Sequence, residues 1–133
     1  PNAVDLGLSV KWAAYDFGAQ SESDKGTNMK IRYSCEYDFT DTWGSKWRTP
    51  KRDEWDELLA NCTITNKTIN GIDGYLVTGK NGNTIFLPNK YYATSYYNSN
   101  GYRLYYVYAD LKNNMTLSGD GDDYIGLRPV YTE

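Results

Sequence analysis

Carboxylates are the most obvious candidates for chemistry in this chain. Asp53, Glu54, Asp56 and Glu57 stand close together. Two carboxyls flanking a cleft, one held protonated by burial, can work as general acid and base. Asp120-Gly121-Asp122-Asp123 offers the hard oxygen ligands that calcium takes. Neither pattern completes itself. The first four fall outside the apolar stripe of the helix that would carry them, which makes them a solvated face. The acidic run breaks the calcium-loop pattern, with Tyr124 at the fifth position, Ile125 in place of glycine and no closing Glu. It reads as an acidic turn. Histidine is absent, which removes the commonest general base and the commonest zinc ligand. Cys35 and Cys62 lack metal or redox spacing. One disulfide between them would add about 3–4 kcal/mol in the chain-entropy model, and two free thiols are nearly as compatible with the sequence. No nucleophile–base pair can be read, so we expect no enzyme, no metal and no cofactor.

Aromatic residues carry a different chemistry, that of recognition. Of 14 tyrosines, ten lie from Tyr91 onward, in a segment also rich in Asn, Asp, Ser and Gly. Tyrosine supplies broad, rigid, amphipathic contact area, and Ser, Gly and Asn supply adaptable hydrogen bonds. Strand propensity alone would enrich Tyr but not Asn, Asp and Gly. The candidate binding residues are Tyr96, Tyr97, Asn98, Asn100, Tyr102, Arg103, Tyr106, Tyr108, Asp110, Asn113, Asn114, Asp122, Asp123 and Tyr124. Trp12, Trp43, Trp47 and Trp55 could stack on sugars, but core packing is the stronger expectation.

The chain has 133 residues, the usual length of one domain, and a formal charge of −3. Clustered Lys and Arg are missing, which argues against nucleic acid as partner. No apolar run approaches the length of a membrane span. A start at Pro1 leaves the lack of a signal-peptide pattern silent about export.

The elements that must position these residues are partly legible. Val4 to Ala13 reads as extended with a break at Gly7. A helix is expected from about Pro50 to Asn61, with Thr49 as N-cap and Pro50 at the first helical position. Trp55, Leu58, Leu59 and Cys62 then form one apolar stripe. Residues 74–78 and 84–87 flank Asn81-Gly82, a two-residue hairpin signal. Further strands are expected at Tyr91–Tyr97, Tyr102–Leu111, Asn114–Leu117 and Tyr124–Val130. Within the second of these, Tyr105, Val107, Ala109 and Leu111 share a face expected to be buried, with Tyr106, Tyr108 and Asp110 opposite. Arg128 is expected to be a structural ion-pair partner. One helix followed by many short strands reads as α+β with a mainly antiparallel sheet.

Six stretches stand in order along the chain: Val4-Asp5-Leu6-Gly7-Leu8-Ser9-Val10-Lys11-Trp12-Ala13, Trp43-Gly44-Ser45-Lys46-Trp47-Arg48-Thr49-Pro50, Glu54-Trp55-Asp56-Glu57-Leu58, Gly74-Tyr75 to Gly79, Asn81 to Pro88, and Gly126-Leu127-Arg128-Pro129-Val130. Together they resemble the Fibrobacter succinogenes major paralogous domain family, which is related to C-type-lectin-like domains. The resemblance implies one C-type-lectin-like domain over residues 1–133, with 1–90 as scaffold and 91–133 as a Tyr-rich ligand-binding face. Tyr92-Ala93-Thr94-Ser95 replaces the family's Tyr-Trp-Ser-Ser, so this face has diverged. Related domains serve as variable proteins of diversity-generating retroelements, in which rewritten Asn codons yield Tyr, Asp, Ser and Asn. The tail from Tyr91 to Tyr124 has that bias. The resemblance further implies a bacterial setting outside the cell, on its surface or on a phage virion, and a surface protein or glycan as ligand. The alternative is a structural or assembly module of a surface protein or fibre. The fold also resembles that of formylglycine-generating enzymes, but neither cysteine sits in their copper-binding motif.

Overall fold

The computed structural model describes residues 2–21, 26, 29–30, 37–97, 103–104, 108–110, 116–118 and 124–133. Within them the architecture is α+β, with one helix and strands that pair almost throughout antiparallel. No described helix is long and apolar enough to cross a membrane.

Both ends of the chain share one sheet. Strand β1 (Ala3–Val4) pairs with β2 (Lys11–Ala13), which pairs with β14 (Val130–Tyr131), which pairs with β4 (Trp47–Arg48). The expected break at Gly7 is real, with φ at +79°, but Ser9 and Val10 are a loop rather than strand. Glu57 explains the loop's course. Its carboxylate accepts both the Ser9 N–H, at 3.1 Å, and the Ser9 hydroxyl, at 2.8 Å.

Helix α1 spans Arg52–Asn61, two residues later than the sequence implies. Thr49 and Pro50 satisfy the local rules for cap and first turn, yet both are buried in extended chain, and Pro50 O accepts the Ser95 N–H at 2.8 Å. Lys51 becomes the N-cap residue instead, and its N–H donates to Glu54 Oε1 at 2.8 Å. The stripe holds. Trp55 and Leu58 are fully buried, and Leu59 and Cys62 pack beside them. Glu54 departs from the expected solvated face. It is buried, and its two carboxylate oxygens accept from Arg48 Nη1 and Nη2 at 2.6 Å each.

The second sheet is β5 (Thr63–Ile69), β6 (Ile72–Thr78) and β7 (Thr84–Pro88) in that order. The β6–β7 hairpin is present, but its loop is five residues, 79–83, because Thr78 pairs with Thr84. Asn81 and Asn83 prefer an anchor to a tight turn, and both amides donate to Asp5 O at 2.8 Å. Gly79 lies against the Leu6 carbonyl, where a Cβ would collide.

Two hydrophobic clusters fill the interior. The first holds Leu6, Trp12, Trp55, Leu58, Val77, Ile85, Leu87, Tyr92 and Val130, with Trp12 and Trp55 edge-on at 4.7 Å between ring centres. The second holds Ala13, Phe39, Trp47, Ala93 and Leu127, ringed by Phe17, Tyr37, Trp43 and Tyr131. Three tryptophans are thus buried, while Trp43 is half-buried against Phe17, Phe39 and Trp47. The Cys62 thiol is free, and Cys35 lies outside the described residues.

Candidate ligand-binding face

The Tyr-rich third grows from a base of two adjacent segments. Strand β8 (Tyr91–Tyr92) runs beside Gly126, with Gly126 N–H donating to Tyr91 O at 2.8 Å and Ala93 N–H donating to Gly126 O at 2.9 Å. Beneath this base lies a buried charged cluster. Asp16 accepts from Arg128 Nη1 at 2.9 Å through Oδ1, and faces Lys90 Nζ at 2.7 Å through Oδ2. The Tyr92 hydroxyl lies 3.0 Å from Asp16 Oδ2 and 3.1 Å from Pro88 O. Arg128 also donates to Ala13 O at 2.9 Å and to Phe86 O at 2.8 Å, which ties β2 and β7 to the closing segment. Its Nη2 has no hydrogen-bond partner among the described residues.

Physical reasons favour this arrangement. A charge taken out of water must be paired and hydrogen-bonded, and a planar guanidinium with several fixed donors does this best. Among the described residues the cluster sets two cations on one anion, so Asp16 is the shared hub. Burial pushes the Tyr92 phenol far above its usual range, and the Asp16 charge pushes it further, against the pull of Arg128. Tyr92 is therefore a neutral structural phenol at ordinary pH.

Above the cluster, β8 joins β11 (Tyr108–Asp110), and β11 joins β12 (Thr116–Ser118). Tyr91 pairs with Asp110, and Tyr92 pairs with Ala109. Tyr91 is half exposed and Tyr92 is buried, so the two tyrosines of β8 face opposite ways. By strand alternation the register positions of Asp110 and Tyr108 share the Tyr91 side.

The candidate residues fall in three groups. Tyr108 and Asp110 lie in the β8–β11–β12 sheet. Tyr96 and Tyr97 form β9 and pair with Leu104 and Arg103 of β10 (Arg103–Leu104). Tyr124 begins β13 (Tyr124–Ile125), opposite Lys30 of β3 (Met29–Lys30). These are three separate sheets among the described residues. Asn98, Asn100, Tyr102, Tyr106, Asn113, Asn114, Asp122 and Asp123 lie outside the described residues, as do Tyr105, Val107, Leu111 and the acidic turn at Asp120. The strand expected over 91–97 is divided into β8 and β9, and that over 124–130 into β13 and β14, because 92–94 and 126–130 are buried in the core; of the strand expected over 102–111, the described residues form β10 and β11.

Sequence reasoning missed Tyr91, Lys90 and Asp16. Tyr91 and Tyr92 are the same residue type, so alternation alone could not say which faced out. Asp16 sits in a stretch without apolar period, and its main partner is 112 residues away.

No group of three or more metal-ligating side chains occurs among the described residues. An open groove of about 390 Å³ lies elsewhere, lined by the 8–11 loop and by Tyr131, Thr132 and Glu133. No family model, no curated protein and no solved structure matches the chain.

Proposed function

We propose that this chain is a non-catalytic ligand-binding domain of the C-type-lectin-like kind, working as an adhesin or receptor-binding module outside the cell. Its Tyr/Asn/Asp-rich C-terminal third is the binding surface, and a surface protein or glycan is the ligand. Recognition is non-covalent, through aromatic anchors with a polar rim. The observation that carries the reading is the contrast within β8. Tyr92 points inward to the Asp16 cluster, while Tyr91 stands half exposed beside the Asp110 position, in a sheet built wholly from the Tyr-rich third. A strand so fixed on one side can hold rigid aromatic contacts on the other. The α+β arrangement supports the fold named here, and the composition from Tyr91 to Tyr124 supports diversification of the face.

The test has two arms. Screening against glycan and surface-protein arrays should find a ligand whose binding falls about tenfold or more in Tyr91→Ala, Tyr108→Ala or Asp110→Ala, with the melting temperature nearly unchanged. Loss of binding that only follows loss of stability would sink the reading. Sequencing the gene across natural isolates should place substitutions between residues 91 and 124. An even spread would remove the diversification part.

A further inference from the structure

Strand β5 is the outer strand of its sheet, and no described residue pairs with its far side. Its seven residues run in unbroken register with β6, from Thr63↔Thr78 to Ile69↔Ile72. The turn between them is Asn70-Gly71, with φ at 51° and 78°. In a two-residue hairpin of this kind, the flanking pair exchanges both hydrogen bonds. Alternation from that pair aims the peptide groups of Ile69, Lys67, Thr65 and Thr63 at β6. Those of Thr68, Asn66 and Ile64 then point outward. The Asn89 N–H bond to Asp73 O, at 3.0 Å on the opposite side of β6, obeys the same alternation.

Exposed edges are normally guarded by proline, bulges, short length or charged side chains, Lys above all. Strand β5 has no proline, no bulge and one charge, Lys67, over seven residues. Thr63, Thr65, Asn66, Lys67 and Thr68 are all exposed.

We propose that β5 is an assembly edge that pairs with β5 of a second copy of this chain, antiparallel about a two-fold axis at Asn66. The charge pattern selects that register. An axis at Lys67 would set two ammonium groups against each other, which is destabilising. An axis at Asn66 overlaps all seven residues and sets each Lys67 opposite Thr65 of the partner subunit. Asn66 then meets the partner's Asn66, and Ile64 meets the partner's Thr68. These are the outward-pointing residues, so the contact forms about six main-chain hydrogen bonds. Two three-stranded sheets become one continuous sheet, with an interface that closes on itself. The proposal is independent of the Tyr-rich face.

Sedimentation equilibrium of the whole chain, from about 1 to 500 μM, tests it. We expect a reversible monomer–dimer equilibrium. Asn66→Pro removes an outward N–H and spares the β6 ladder, so it should weaken the dimer at least tenfold without lowering the melting temperature by more than a few degrees. Thr65→Glu faces the partner's Lys67 twice and should tighten the dimer about two- to thirty-fold. A monomer throughout the range overturns the proposal. So does a dimer indifferent to Asn66→Pro, or one that Thr65→Glu fails to tighten.

Discussion

Arg128 Nη1 and Asp16 Oδ1 meet at 2.9 Å with neither side chain reaching solvent, 112 residues apart in sequence. The pair joins the first third of the chain to the segment that leads into its last strand. It also sits directly under the Tyr92 hydroxyl.

Breaking that pair from one side should be severe. Asp16→Asn removes the carboxylate that Arg128 and Lys90 share and leaves the Arg128 charge buried, which should cost about 3–5 kcal/mol. Asp16→Asn with Arg128→Met should cost less than the two single changes added, because the charges vanish together. Urea denaturation measures both. A loss below about 1 kcal/mol for Asp16→Asn would contradict the role given to the cluster.

The two tyrosines of β8 should behave oppositely. Tyr92→Ala empties a fully buried site and should cost about 3–5 kcal/mol. Tyr91→Ala, at a position half exposed, should change stability by about 0.5 kcal/mol or less. Tyr92→Phe, which removes only the hydroxyl beside Asp16, should fall between, at about 1–2 kcal/mol. Thermal melts of the three variants give the order directly.

Acid should weaken the fold partly through Glu54. Burial draws this carboxyl up, but the Arg48 bonds and the Lys51 N–H draw it down harder, to a net value below the usual 4.5. The unfolded chain therefore binds more protons at this site than the folded one. The stabilisation is complete above the unfolded value and is lost as pH falls through the folded value. Glu54→Gln should flatten that acid limb and cost about 1–2 kcal/mol at neutral pH, a range that allows for the partial exposure of Arg48. Melting temperatures from pH 2.5 to 7 of the two proteins should converge at the acid end.

Gly79 should not tolerate a side chain. A Cβ there would meet the Leu6 carbonyl, which is main chain and cannot swing away. Gly79→Ala should cost about 1–3 kcal/mol, whereas Gly82→Ala, with open space around it, should suffer only from its positive φ. A loss below about 0.5 kcal/mol for Gly79→Ala would show that contact with Leu6 does not matter.

The helix stripe was legible because Trp55 and Leu58 repeat at helical spacing, and nothing else in the chain competes for them. Its start was not, because Thr49 and Pro50 obey the rules of a cap while tertiary pairing with Ser95 pulls them into extended chain. Strand β5 carries apolar residues only at Ile64 and Ile69, an odd spacing that gives no period, so no strand was expected there. The Arg128 ion pair was expected, but Asp16 as its partner was not, since no local pattern reports a contact across most of the chain. On the candidate face, composition marked the segment and alternation split its strand by face, while the pairing of Asp110 with Tyr91 and of Ala109 with Tyr92 came only with the fold.

The bridge between Tyr92 and Gly126 pins both ends of the intervening segment to one point of the core. For chain closed between two such anchors, the closure entropy grows only with the logarithm of the number of residues between them. Doubling the number of residues between the two anchors would add only about 0.6 kcal/mol to that closure cost. By this term alone, length variation between the anchors should cost far less than a single cavity in the tryptophan core.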